Sequence, residues 1–269
     1  MQVESSDGTV IHADEFGGEG PAVLFVPGST LDASAATRVC ERLAARFRCF
    51  AMDRRGRGQS GDSAVHSLGQ EVDDVLALCR AIGRPVALFG HSYGGLCALQ
   101  AARDCPELDS LILYEPPFGA RIPLGIPEAM RAALDAGDAR TAMLLFLEKV
   151  VRAPRLELAF VKGLGDAWFE ARARTTVREV EAVVAFDAER ALALPQHLAV
   201  SALVGSKSPR RLRESTDRLR ERVPQLALHE LEGQGHNALL FAPELVARVV
   251  ETHMEDLGRE RGSLPRERC

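Results

Sequence analysis

The chain has 269 residues, 46% of them hydrophobic and 26% charged, with a formal net charge of -5. That length suits one large domain, and the composition is that of a globular protein rather than a disordered one. The mild negative charge gives no reason to expect nucleic acid or an anionic membrane as a partner, and no apolar run reaches membrane-spanning length.

The first residues, Met1 to Gly8, carry neither a basic region nor an apolar run, so no signal peptide is expected. The six cysteines (Cys40, Cys49, Cys79, Cys97, Cys105 and Cys269) show no Cys-x-x-Cys spacing and read as small buried hydrophobes. A reducing, cytoplasmic location is the expectation. Gln2 to Ser5 and Val10 to Phe16 read as short strands around the turn Asp7-Gly8. Ala22 to Val26 is a continuous apolar run, as in a strand buried on both faces of a parallel sheet. It ends in Pro27-Gly28-Ser29-Thr30, a loop with little side-chain bulk. Val39, Leu43 and Phe47 lie at helical spacing within Ala35 to Phe47.

Cys49 to Met52 reads as the next strand. The segment Asp53-Arg54-Arg55-Gly56-Arg57-Gly58-Gln59-Ser60 follows it, read as a charged turn fixed by Asp53 and its glycines, because no phosphate-loop pattern accompanies the arginines. Ser67 and Gln70 form a capping box for a helix that Gly83 ends. The strand Pro85 to Leu88 then leads into Phe89-Gly90-His91-Ser92-Tyr93-Gly94-Gly95 and a small-residue helix, Leu96 to Arg103. Gly-x-Ser-x-Gly between a strand and a helix is the nucleophile elbow, in which the glycines remove side chains that would clash around a strained serine. Leu108 to Tyr114 is a further strand, ending at Glu115.

From Phe118 to Pro195 the strand rhythm stops. Helical patterns at Pro127–Ala136, Ala139–Val151, Leu156–Leu164 and Thr175–Phe186 predict a lid over the strand ends, with Phe146, Phe160, Trp168, Phe169 and Phe186 as its core. Alternation resumes with the strand Leu198 to Val204, the helix Pro209 to Arg222 and the strand Leu226 to Leu231. The loop Glu232-Gly233-Gln234-Gly235-His236-Asn237 and the helix Pro243 to Met254 close the pattern. Residues 1–117 and 196–257 therefore read as an α/β core, 118–195 as a helical lid between the sixth and seventh strands, and 258–269 as a flexible tail. The core is a doubly wound, mostly parallel sheet, and ligands in such sheets gather at the carboxyl ends of the strands. Ser29, Asp53, Ser92 and Glu115 all lie at or just past such ends.

A serine hydroxyl needs a base to act as a nucleophile, and His236, between a last strand and a last helix, is the candidate. The order Pro27-Gly28-Ser29, Asp53 to Ser60, Gly90 to Gly95 and Gly235-His236 resembles the α/β-hydrolase fold superfamily over nearly the whole chain, from about Val3 to Met254. The resemblance implies a lidded serine hydrolase with Ser92 as nucleophile and His236 as base. It also implies an oxyanion hole formed by the backbone N–H groups of Ser29 and Tyr93. Members usually carry an Asp after the strand read here at Leu198 to Val204, but this chain has Gly205-Ser206-Lys207-Ser208, with Ser208 at that place. Glu115 is the candidate acid by analogy with relatives that carry it one strand earlier; Glu214 or Asp217, and a degraded triad, are the other readings.

The expected substrate is a small or medium, largely apolar ester, thioester or lactone. Carbon–carbon hydrolase, lyase, cyclase or cofactor-free peroxidase chemistry on the same fold, and a ligand-binding scaffold without turnover, are the alternatives. No cofactor or metal is implied, since no His-x-x-x-His or carboxylate cluster stands out. A small molecule is the expected partner, and a homodimer is compatible with the pattern.

Overall fold

The computed structural model describes residues 1–83, 86–188 and 194–263. Pro85, residues 189–193 of the expected lid, and residues 264–269 of the expected tail, Cys269 included, lie outside the described residues.

Eight strands form one sheet: β1 (Gln2–Glu4), β2 (Val10–Phe16), β3 (Ala22–Val26), β4 (Arg48–Met52), β5 (Val86–His91), β6 (Leu108–Tyr114), β7 (Ala199–Gly205) and β8 (Leu226–Leu231). Their spatial order is β1-β2-β4-β3-β5-β6-β7-β8. β1 and β2 pair antiparallel with each other, β2 pairs antiparallel with β4, and every pairing from β4 to β8 is parallel. After β3 the chain goes one way to β4 and then returns to the other side of β3 as β5. The switch point between β3 and β5 thus opens a crevice at their carboxyl ends, where the Gly28 and Ser92 turns meet. Every residue of β3 and β5 is buried, which is why their sequences are unbroken apolar or small-residue runs.

Helices cover both faces. α2 (Leu68–Ile82), α3 (Tyr93–Ala101) and α8 (Arg210–Arg222) bury Val75, Leu99 and Leu219 in one core layer. α1 (Thr37–Leu43), α9 (Ala238–Phe241) and α10 (Pro243–Ser263) bury Val39, Leu239 and Val250 in the other. Between β6 and β7 stand α4 (Ile126–Asp135), α5 (Ala139–Leu145), α6 (Arg155–Lys162) and α7 (Asp166–Ala185), with a small core of their own around Met130, Met143, Phe169 and Val177.

Several boundaries differ from the sequence pattern. The first helix is split into a 3-10 turn, Ala33–Ala36, and α1, which ends at Leu43 rather than Phe47. α5 passes into a π-helical turn, Phe146–Val151. α7 begins at Asp166 instead of Thr175; in its amino-terminal half Phe169 and Ala173 are the buried residues, set among charged and exposed neighbours. α10 runs on to Ser263, so residues 258–263, expected as tail, are helical. The aromatic set divides: Phe146 and Phe169 are buried in the inserted helices, whereas Phe160 is 71% exposed. Phe186 packs instead against the core of the sheet.

Candidate active site

The site begins with a strained serine. Ser92 joins β5 to α3 at φ 52°, ψ -124°, a region that non-glycine residues rarely occupy. The turn is so tight that a Cβ on Gly90 would come within 2.6 Å of the Gly95 Cα, and one on Gly94 within 2.4 Å of the Val26 and Pro27 carbonyl oxygens. Hydrogen bonds from the Ser92 N–H to the Tyr114 carbonyl (2.9 Å) and from the Gly95 N–H to the Ser92 carbonyl (2.8 Å) hold the conformation. The Tyr93 amide, first in α3, has no partner within the helix and faces the turn.

A carboxylate and an imidazole meet beside it. Glu115, just past β6, adopts φ 45° and is fully buried. That kink sends its side chain sideways across the end of β7, where Oε1 accepts the Gly205 N–H at 2.8 Å. Oε2 accepts the Nδ1–H of His236 at 2.6 Å. The ring therefore carries its proton on Nδ1 and keeps Nε2 free as a base. The carboxylate of Glu115 lies against the end of β7, just before the stretch in which this chain has Ser208 where the resemblance would place an Asp. Glu214, one alternative, pairs with Arg210 at 2.7 Å on α8.

Two residues hold the His236 loop. His91 Nε2 donates to the His236 carbonyl at 2.9 Å, and the Tyr114 hydroxyl donates to the Gly235 carbonyl. Burial, together with the neighbouring His236, pushes the His91 pKa down to about 3, so its ring is neutral.

The loop after β3 is held from beneath by a fully buried arginine. Arg54 donates through Nε to the Pro27 carbonyl (2.9 Å) and through NH2 to that of Gly28 (3.2 Å). It also pairs with Glu71 at 2.7 Å and with Glu179 of α7 at 2.7 Å. Arg57 shares Glu179 at 2.6 Å. Arg172 of α7 grips the same loop, donating to the Thr30 carbonyl at 3.1 Å. The segment read as a charged turn is thus an internal ion-pair network, with Asp53 fixing its backbone through the Ala33 and Gln59 amides, both at 2.8 Å. Arg55 is buried as well, paired to Asp74 at 2.7 Å.

Two cavities flank Ser92. Ser29, Ser92, Phe146, Val151 and His236 line both. The larger, of about 480 Å³, extends among Leu156, Phe160, Trp168 and Phe241; the smaller, of about 60 Å³, extends toward Ile122, Val183 and Arg211. The inserted helices supply walls to both. Ser92, His236, Glu115, Ser29 and Tyr93, singled out in the sequence, all come together here. Among the described residues the Ser92 hydroxyl makes no hydrogen bond, and apo catalytic contacts of this kind commonly form only with ligand in place.

Arg54, Glu179, His91 and Tyr114 were missed. His91 stood inside the quoted motif, and Arg54 inside a run of arginines that a burial argument could not reach without the fold. No group of three or more His, Cys, Asp or Glu among the described residues is placed to hold a metal ion. No described helix is long and apolar enough to cross a membrane.

N-formylmaleamate deformylase of Pseudomonas putida is 36% identical over 117 residues, which is 42% of this chain and 44% of the relative. The chain thus matches less than half the length of that curated relative. Among solved structures, an α/β hydrolase from Sphaerobacter thermophilus superposes with a TM-score of 0.83 at 28% identity, covering 94% of this chain and 100% of the other. The N-formylmaleamic acid deformylase of Pseudomonas putida S16 superposes with a TM-score of 0.67 at 25% identity, covering 93% and 98%. Residues 23–249 match the model of the alpha/beta hydrolase family, to which this chain belongs.

Proposed function

We propose that the chain is a serine hydrolase that cleaves a small or medium, largely apolar ester, thioester or lactone through an acyl-enzyme on Ser92. The observation that carries this reading is the 2.6 Å pairing of Glu115 with His236, which lines the same cavities as Ser92. With its Nδ1–H held by Glu115, His236 takes the Ser92 proton on Nε2 as the oxygen attacks the substrate carbonyl. The carboxylate stabilises the imidazolium so formed. The oxyanion of the tetrahedral intermediate is received by the backbone N–H groups of Ser29 and Tyr93, held before the reaction begins. Collapse expels the alcohol or thiol with a proton from His236 and leaves Ser92 acylated. Water then attacks with His236 as base, and the acid leaves with the serine restored. The inserted helices act as a lid, closing apolar walls over the carbonyl.

A second reading is hydrolysis of an N-acyl amide. It is favoured by the similarity to a protein named as a deformylase, and the same residues would serve, with His236 protonating a nitrogen leaving group.

Labelling by a fluorophosphonate probe tests the shared mechanism, comparing wild type with Ser92→Ala, His236→Ala and Glu115→Gln. Labelling lost with Ser92→Ala and sharply reduced in the other two is expected. A folded wild type that does not label would overturn the hydrolase reading in favour of a binding scaffold. Turnover of p-nitrophenyl esters against N-formyl amides separates the ester and amide readings.

A further inference from the structure

The two cavities beside Ser92 differ in their charge. The larger has apolar walls apart from Glu157, whose Oε2 accepts an N–H from Asn237 at 2.9 Å, and the polar residues around Ser92. The smaller is also apolar along most of its wall, but Arg121 and Arg211 line it. Arg54, Arg57, Arg131, Arg140 and Arg178 each hold a carboxylate within 3.2 Å. Among the described residues Arg121 makes no hydrogen bond or ion pair, and Arg211 makes one bond, from Nη2 to the Lys149 carbonyl at 3.1 Å.

Three effects oppose a cation at Arg211. It is half-buried, so its charge is partly desolvated, and its nearest charged influence is another cation, Arg152; both push its pKa down. It also lies in the first turn of α8, where the helix dipole already disfavours positive charge. Among the described residues no carboxylate forms an ion pair with Arg211 or Arg121. Glu179 lines the same cavity, with Oε1 held by Arg54 and Arg57 and Oε2 buried without a hydrogen-bond partner among the described residues; Glu148 pairs with Lys162 at 2.8 Å, and Glu214 with Arg210 at 2.7 Å. An anion in the cavity would offset the cost of this charge through a paired interaction.

Ser29 and His236 line both cavities, but their further linings differ. Asn237 and Phe241, just after the base that protonates the leaving group, line the larger one, whereas Tyr93, whose amide faces the oxyanion, lines the smaller. We infer that the smaller cavity receives the acid moiety of the substrate, and that this moiety is a short chain ending in a carboxylate that docks on Arg211 and Arg121. The assignment of sides rests on the serine-hydrolase reading. The pairing of carboxylate and arginine does not.

The test uses benzyl hydrogen succinate and benzyl butyrate, which share a leaving group and differ in the terminal charge of the acid. Wild type is expected to favour the succinate ester in kcat/KM by about tenfold or more, the range of one charge-assisted hydrogen bond. Arg211→Gln should shrink that ratio about tenfold, chiefly through KM, with Arg211→Lys restoring part of it, and added salt should lower the wild-type ratio. Calorimetry of succinate binding to Ser92→Ala, with and without Arg211→Gln, reads the same site without turnover. A wild-type preference for butyrate, an unchanged ratio in Arg211→Gln, or succinate binding indifferent to Arg211 would overturn the inference. Arg211-dependent succinate binding in a protein that turns over neither ester would uphold the anion site while removing the hydrolase reading.

Discussion

His91, immediately before Ser92, donates its Nε2–H to the backbone carbonyl of His236, 145 residues later, at 2.9 Å. The rings lie 4.7 Å apart. A carbonyl can only accept, so His91 must carry its proton on Nε2, and with a pKa near 3 it stays neutral across the working range. The residue that precedes the serine turn therefore also fixes the backbone of the base. His91→Leu should lower kcat about tenfold or more with KM changed by less than about twofold, because only the orientation of His236 is disturbed. His91→Gln, which keeps a donor at similar reach, should recover part of the rate. Equal activity in His91→Leu and wild type would mean that the loop is held without this bond.

Glu115 joins three elements through one carboxylate: its own strand β6, the Gly205 amide at the end of β7, and the His236 ring. Glu115→Gln preserves an oxygen for Gly205 but removes the charge and favours the wrong arrangement of protons on His236. A loss of about 10³- to 10⁴-fold in kcat is expected, by analogy with a triad carboxylate changed to its amide. The melting temperature should change little by comparison. Steady-state kinetics beside a thermal melt decide it; a variant that loses stability and activity in proportion would reduce Glu115 to a structural role.

The centre of the sheet was legible because its strands are buried on both faces, and Ala22 to Val26 and Val86 to Phe89 announce this as unbroken apolar runs. The serine turn was legible because sterics demand glycine at positions 90 and 94. Glu115 could be named only as one of several candidates, since nothing local reveals that a φ of 45° turns its side chain toward a loop 121 residues away. The arginines at 54, 55 and 57 misled for a related reason. Charge in a glycine-rich turn normally means solvent, and burial depends on partners such as Glu179 that only the tertiary fold supplies.

Acid should destabilise the fold in two overlapping windows. Burial and His236 depress the His91 pKa from 6.5 to about 3, and burial and His229 depress that of His253 to about 4. The unfolded chain then takes up protons that these rings refuse, so their contribution is full above pH 6.5 and declines as pH falls toward 3. For Glu71, burial acts to raise the pKa, but Arg54 and His66 outweigh it and lower the value from 4.5 to about 2. Its contribution is full above pH 4.5 and is lost toward pH 2. Urea midpoints measured from pH 7 to pH 3 should fall throughout this range. His91→Gln should flatten the decline above pH 4.5, and Glu71→Gln only the part below it. A midpoint constant down to pH 4 would contradict the burial of these rings.

Glu179 is where the inserted helices meet the loop that carries Ser29. It is 1% exposed, and its Oε1 accepts from both Arg54 and Arg57, while Arg54 holds the Pro27 and Gly28 carbonyls. Removing it leaves two buried guanidiniums with Glu71 as the remaining acid of the cluster. Glu179→Ala should therefore cost about 3 to 5 kcal/mol of stability, the range for breaking one side of a buried ion pair. Because Arg54 would shift toward Glu71, the Gly28-Ser29 amide should lose its fixed position, and kcat should fall about tenfold even at temperatures where the variant is fully folded. Pairing Glu179→Leu with Arg57→Leu removes one charge of each sign and keeps the Arg54–Glu71 pair. That double variant should regain more than half of the lost stability, yet not the lost kcat, since Arg54 still lacks its anchor in α7. Recovery of both together would place the loop's support in Arg54 and Glu71 alone and free α7 from any part in catalysis.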